Sequence, residues 1–186
     1  MNTKRMSTKT MVTIAMLTAA SYILEATIHF PIFPSVTYIQ YSPSEIPIVI
    51  GGMIFGPLAA LLSSLAVALL AGITVGTTGI IGMLINFLSK ASFAVLIAAI
   101  FKSRKTNVNM IIAFVVGSIA MVCMMVLSNI ALTPLYTGVP ISVIMGMLIP
   151  TIIPINAIMA VINSVLSIVI YLGISKYVKD KQYDRD

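Results

Sequence analysis

Lys90 stands alone as a charge within the apolar stretch 46–101. An ionisable group in hydrocarbon is expensive and normally faces a protein interior or a watery cavity. Two chemistries suit it: a pocket cation that meets an anionic or carbonyl-bearing ligand, or a structural pair with Glu25 or with helix-end carbonyls. Asn86 lies one helical turn before Lys90 and on the same face. Asn129 and Asn156 fall near one end of their own apolar runs, and Asn163 lies two turns further along the last run. An amide offers donors and acceptors together, which suits a heterocyclic or polyhydroxylated ligand. The plainer use of each Asn is an interhelical hydrogen bond of about 1 kcal/mol or less. Glu25, nearer the end of the first run, reads as a wetted interfacial carboxylate.

Covalent and metal chemistry find no support. His29, the sole histidine, has no nearby Ser, Cys or carboxylate in a recognisable arrangement. No Gly-x-Ser-x-Gly, phosphate-binding loop, HExxH or CxxC occurs. Cys123 is the single cysteine and sits in an apolar run, where it reads as a buried free thiol. The 13 methionines are dispersed and read as adaptable packing, not as metal ligands. We therefore expect no enzyme activity, no cofactor and no metal, and any ATP-driven work must come from another subunit.

The elements that position these residues are transmembrane helices. Of the 186 residues, 59% are hydrophobic and 9% charged, where a soluble domain carries about 25% charged residues. We read one transmembrane domain over 1–186, an all-α bundle with spans at about 7–28, 46–55, 57–71, 80–101, 110–132 and 151–172. The second and third are short, so 46–71 is either two short spans or a re-entrant pair. The basic start followed by a long apolar run is read as a retained span, because no small-x-small cleavage site closes it. Basic residues cluster at Lys4, Arg5 and Lys9, at Lys102, Arg104 and Lys105, and at Lys176, Lys179, Lys181 and Arg185. The positive-inside rule places all three clusters, and both termini, in the cytoplasm. An even number of crossings must then separate successive clusters, which rejects 46–71 as one kinked span. The net charge of +6 thus reports topology and not nucleic-acid binding.

Several segments, in order, resemble the riboflavin-type S components of energy-coupling factor (ECF) vitamin transporters. They are Phe-Pro-Ile-Phe-Pro at 30–34, Tyr-Ser-Pro-Ser-Glu-Ile-Pro at 41–47, and Ile-Gly-Gly-Met-Ile-Phe-Gly-Pro-Leu-Ala at 50–59. Further on come Asn-Phe-Leu-Ser-Lys-Ala-Ser-Phe at 86–93, Ser-Asn-Ile-Ala-Leu-Thr-Pro-Leu-Tyr at 128–136 and Ile-Pro-Ile-Asn at 153–156. The resemblance implies a six-helix subunit of a bacterial cytoplasmic membrane that captures a small-molecule vitamin from outside. Its implied partners are membrane lipid, the transmembrane coupling subunit EcfT and two cytoplasmic ATPases of the ECF module. It makes the loop from Phe30 to Glu45 a lid, with Tyr38 and Tyr41 as its aromatics. Asn86, Lys90, Asn129, Asn156 and Glu45 become candidate ligand contacts. Ala15 and Ala19, small residues four apart, match the stripe such subunits present to the energising module.

The chain also departs from that pattern. The riboflavin members carry a Lys in the third span, where this chain has Ala66 to Leu70, and another shortly after the sixth-span Asn, where it has Met159. Lys90 stands where small residues are usual. A moved cation suggests a moved or different ligand, so riboflavin leads, with pantothenate or another small acidic vitamin as the alternative. A self-sufficient secondary transporter is the alternative of another class. It calls for internal repeats, and no convincing duplication is found.

Overall fold

The computed structural model describes residues 7–32, 39–76 and 79–183. Tyr38, in the expected lid, lies outside them. The first helix, α1, runs Thr8–Thr27. Ser7 caps it by accepting from the Thr10 N–H at 3.2 Å, which satisfies one orphan donor of the first turn. A two-residue antiparallel pair follows, β1 (Phe30–Pro31) with β2 (Gln40–Tyr41), Phe30 opposite Tyr41. Next come α2 (Glu45–Phe55), α3 (Pro57–Thr74), α4 (Gly79–Ser103) and α5 (Asn107–Thr137). The last helical segment begins as α6 (Ile141–Met147), passes through a π turn (Leu148–Ile152) and continues as α7 (Ile153–Tyr183).

Between α2 and α3 the chain doubles back at one residue, Gly56, whose φ of 104° is closed to a residue with a Cβ. Pro57 then opens α3, where its missing N–H costs nothing. The fold-back is tight: a Cβ on Gly52 would lie 2.9 Å from the Ala60 Cβ and 3.0 Å from that of Ala98. Stretch 46–71 is therefore two helices, and the 11-residue α2 rises only about 16 Å, half a typical hydrocarbon core.

α4 is the central element, packed against α2, α3 and α5. Phe93, Ile97 and Phe101 join Val49 and Met53 of α2 and Phe114 and Met121 of α5 in the main buried cluster. Gly117 lets α5 close on α4, since a Cβ there would fall 2.6 Å from Ile97 Cγ1. The outer surfaces are apolar as well: Ile73 is 77% exposed, Ile80 81% and Ile149 79%. Among the described residues, five helices are long and apolar enough to cross a membrane. Lipid covers such surfaces, so association rests on close packing and interhelical hydrogen bonds.

The helix ends differ from expectation where proline is present. The fifth span continues past 132 to Thr137 with Pro134 inside it and stops at Gly138, φ 68°. The sixth begins ten residues early, at Ile141 rather than 151. Pro150 and Pro154 remove two donors from that run, and the π turn absorbs the loss: the Ile153 N–H reaches the Leu148 carbonyl, five residues back.

Candidate functional site

α1 is bound to its neighbours largely through polar groups. Ser21, its one fully buried residue, donates to the Ser44 carbonyl. Thr18 donates to Ser63 Oγ at 2.8 Å, and the Tyr22 hydroxyl to Thr74 at 3.0 Å. The last link in this row is the ion pair of Glu25 with Lys90, Nζ to Oε2 2.8 Å, with side-chain exposures of 14% and 5%.

That pair is fully furnished. Lys90 Nζ also donates to Ser44 Oγ at 2.6 Å, and the Ser44 hydroxyl donates in turn to Glu25 Oε2. Asn86 Nδ2 donates to Glu25 Oε1 at 3.1 Å. Three side chains, two of them from α4, therefore fix one carboxylate. Ser44 directly precedes α2, where a serine hydroxyl ordinarily caps the helix; here it makes no cap bond and serves the pair instead.

A second buried chain of bonds lies beside it. Asn163 of α7 donates to Glu45 Oε2 at 2.6 Å and accepts from the Tyr41 hydroxyl at 3.0 Å. The Tyr41 ring meets Phe30 edge-on, centroids 5.6 Å apart. Burial, with the Glu45 carboxylate beyond it, pushes the Tyr41 phenol above its ordinary pKa, so the hydroxyl remains a neutral donor. This chain ties the β1–β2 pair to α2 and α7.

A cavity of about 210 Å³ lies between these networks and beneath the segment Ile39–Ser42. Its polar lining includes Glu25, Glu45, Asn86, Lys90, Asn129 and Asn156. Its apolar wall is built from Ile85 and from Met121, Met125 and Met159. Asn129 Nδ2 is held by the Met125 carbonyl at 2.8 Å, while its Oδ1 accepts from Thr133 at 3.0 Å. Asn156 Nδ2 donates to the Ile152 carbonyl at 2.8 Å, and its buried Oδ1 has no partner. An unpaired acceptor inside a polar cavity awaits a donor from a ligand or a water.

The structure thus brings Asn86, Lys90, Asn129, Asn156 and Glu45 to one cavity. Tyr41 does not line it; its hydroxyl is spent on Asn163. Glu25 is not a wetted interfacial group but the buried partner of Lys90. Cys123 is exposed rather than buried. Sequence reasoning missed Ser44 altogether, and the only signal was a serine directly before an acidic residue at a helix start. Among the described residues no cluster of His, Cys, Asp or Glu can hold a metal ion. Ala15 and Ala19 are exposed on α1, away from the cavity.

A helical membrane bundle with a polar cavity beneath a short β segment has the form of a membrane protein that binds a solute. Residues 9–171 match the family model of the ECF transporter substrate-specific component, and the chain belongs to that family. It is a vitamin-capturing subunit of a bacterial cytoplasmic membrane and not itself an enzyme. It is 28% identical over 183 residues to the riboflavin transporter RibU of Staphylococcus aureus (strain TCH60), covering 92% of this chain and 93% of that one. It is 24% identical over 187 residues to the riboflavin transporter FmnP of Bacillus subtilis (strain 168), covering 95% and 97%. A solved S component of a bacterial ECF transporter superposes with a TM-score of 0.79 at 28% identity, covering 92% of this chain and 98% of that one.

Proposed function

We propose that the chain captures riboflavin, or a closely related flavin, from outside the cell and delivers it to an ATP-driven ECF transporter. The observation that carries this reading is the cavity's mixed lining of methionines and amides. Met121, Met125 and Met159 offer a polarizable surface for a flat ring. Asn86, Asn129 and Asn156 offer amides to the ring's imide edge or to a polyol chain. Ile39, Gln40 and Ser42 also line the cavity, so the segment over it is in reach of a bound ligand. The two relatives named as riboflavin transporters support the same ligand. Lys90 by itself would favour a small acidic vitamin such as pantothenate, but Glu25 at 2.8 Å cancels its charge.

Transport then requires a transmembrane coupling subunit and two cytoplasmic ATPases, which this chain would meet through the exposed Ala15 and Ala19. The first test is a titration of the purified, detergent-solubilised chain with riboflavin, read by flavin fluorescence. The chain has no Trp, so the flavin itself is the reporter. Saturable quenching at one flavin per chain is expected. A folded sample that leaves flavin emission unchanged would refute the flavin reading. Uptake in cells without the energising subunits would instead favour a self-sufficient secondary transporter.

A further inference from the structure

We propose that Glu25 is a specificity-determining residue: by masking Lys90 it leaves the cavity without free positive charge, so an uncharged vitamin is accepted and its phosphorylated or carboxylated counterpart refused. The inference rests on the flavin reading above and adds to it the residue that sets ligand charge.

The charge inventory is short. The cavity wall holds three titratable side chains: Glu25 from α1, Glu45 from α2 and Lys90 from α4. α5 has no Asp, Glu, Lys or Arg, and α7 has none before Lys176. Residues 30–44 contribute none from the loop. With Glu25 and Lys90 paired, the sum is zero if Glu45 holds a proton and negative if it does not. In neither state does an incoming anion find an uncompensated cation.

Geometry makes the mask persistent. Glu25 is held by Lys90, Ser44 and Asn86 together. Two of the three Lys90 protons are taken, by Glu25 and Ser44. To free the ammonium for a ligand, a carboxylate would have to be left buried without its partner, which costs enough that the pair breaks rarely. Like charges brought together in a desolvated site cost several kcal/mol, equivalent to about 100-fold or more in affinity.

The test compares riboflavin with its 5′-phosphate, each titrated by fluorescence into the detergent-solubilised full chain. Wild type should prefer riboflavin by about 100-fold or more. Glu25→Gln keeps the shape and the hydrogen-bonding reach but unmasks Lys90, and the preference should fall by at least about 10-fold. Adding Lys90→Met to that variant removes the cation and should restore most of the preference. If Glu25→Gln does not fold, Met125→Lys places an uncompensated cation in the cavity lining on α5 and should also admit the phosphate. An unchanged preference in a variant that binds riboflavin overturns the proposal. So does a preference that falls equally with and without Lys90→Met. Failure of wild type to bind either flavin refutes the flavin reading instead.

Discussion

The pair of Glu25 and Lys90 makes a quantitative prediction about stability. Lys90 is buried and Glu25 largely so, at 5% and 14% exposure, and they join the first and fourth helices. Removing one member of a buried pair strands the other and costs about 3–5 kcal/mol. In Lys90→Met, Glu25 retains donors from Ser44 and Asn86, which puts the loss at the low end, about 3 kcal/mol. Glu25→Met leaves Lys90 with Ser44 alone and should cost a similar amount. In the double variant no charge is stranded. The remaining loss comes from Ser44 and Asn86, deprived of a partner at about 1 kcal/mol each, and from imperfect packing of two methionines. The double variant should therefore be no worse than either single one, a coupling of about 3 kcal/mol. For a chain of this length 1 kcal/mol moves the melting temperature by about 2–4 °C, so each single variant should melt about 6–12 °C low. Far-ultraviolet circular dichroism in detergent measures this directly. Additive losses in the double variant would show that the two groups are not energetically coupled, and the account of the site built on their pairing would fail.

Other consequences are read the same way. Tyr41→Phe removes one hydrogen bond to Asn163 and should lower stability by about 1 kcal/mol. Asn163→Leu orphans both Tyr41 and Glu45 and should cost at least twice that, also by thermal melts. Gly117→Ala places a Cβ 2.6 Å from Ile97 and 3.2 Å from the Phe93 carbonyl; forcing α4 and α5 apart should cost about 1–3 kcal/mol. Gly146→Ala, where nothing lies within 4 Å, should be neutral or stabilising by up to about 1 kcal/mol. Ala19→Leu alters an exposed position and should leave riboflavin titrations unchanged while lowering ATP-dependent uptake in cells that express the whole transporter. Loss of binding in that variant would argue against a coupling role for the exposed side of α1.

The parts of this structure that sequence reveals are those governed by the solvent. Lys90 was conspicuous because hydrocarbon makes a lone charge conspicuous, and charge parity alone required an even number of crossings before Lys102. Gly56-Pro57 marked the fold-back, because φ near 100° excludes other residues and proline opens a helix. What stayed hidden is contact across long separations. The pair of Glu25 with Lys90, 65 residues apart, was one of the two chemistries open to that lysine, but nothing local pointed to the bonds of Asn163 with Glu45 and Tyr41, 118 and 122 residues apart. Ser44 was hidden for the opposite reason: its local environment reads as a helix cap, and a tertiary demand overrode it. Proline misled at both late spans. In a membrane the backbone stays hydrogen-bonded by local adjustment rather than by ending the helix, so Pro134 is accommodated within α5 and Pro150 within the π turn.

The position of Glu25 on α1 also bears on how capture can be coupled to delivery. α1 buries little of itself: Ser21 is its one fully buried residue, while Met11, Val12 and Met16 are more than half exposed. It is held instead by discrete polar links to Ser44, Ser63, Thr74 and Lys90. The three neutral links are individually weak, since hydrogen bonds between membrane helices average under about 1 kcal/mol, and the ion pair with Lys90 is the strong one. The helix that contributes Glu25 to the cavity also shows Ala15 and Ala19 on its exposed side. A ligand that alters the bonding of Glu25 acts on the same rigid rod a partner would grip, about 9–15 Å away along the axis by helical rise. If the energising partner engages Ala15 and Ala19 as proposed, α1 itself would join the two sites, with no long relay through the core.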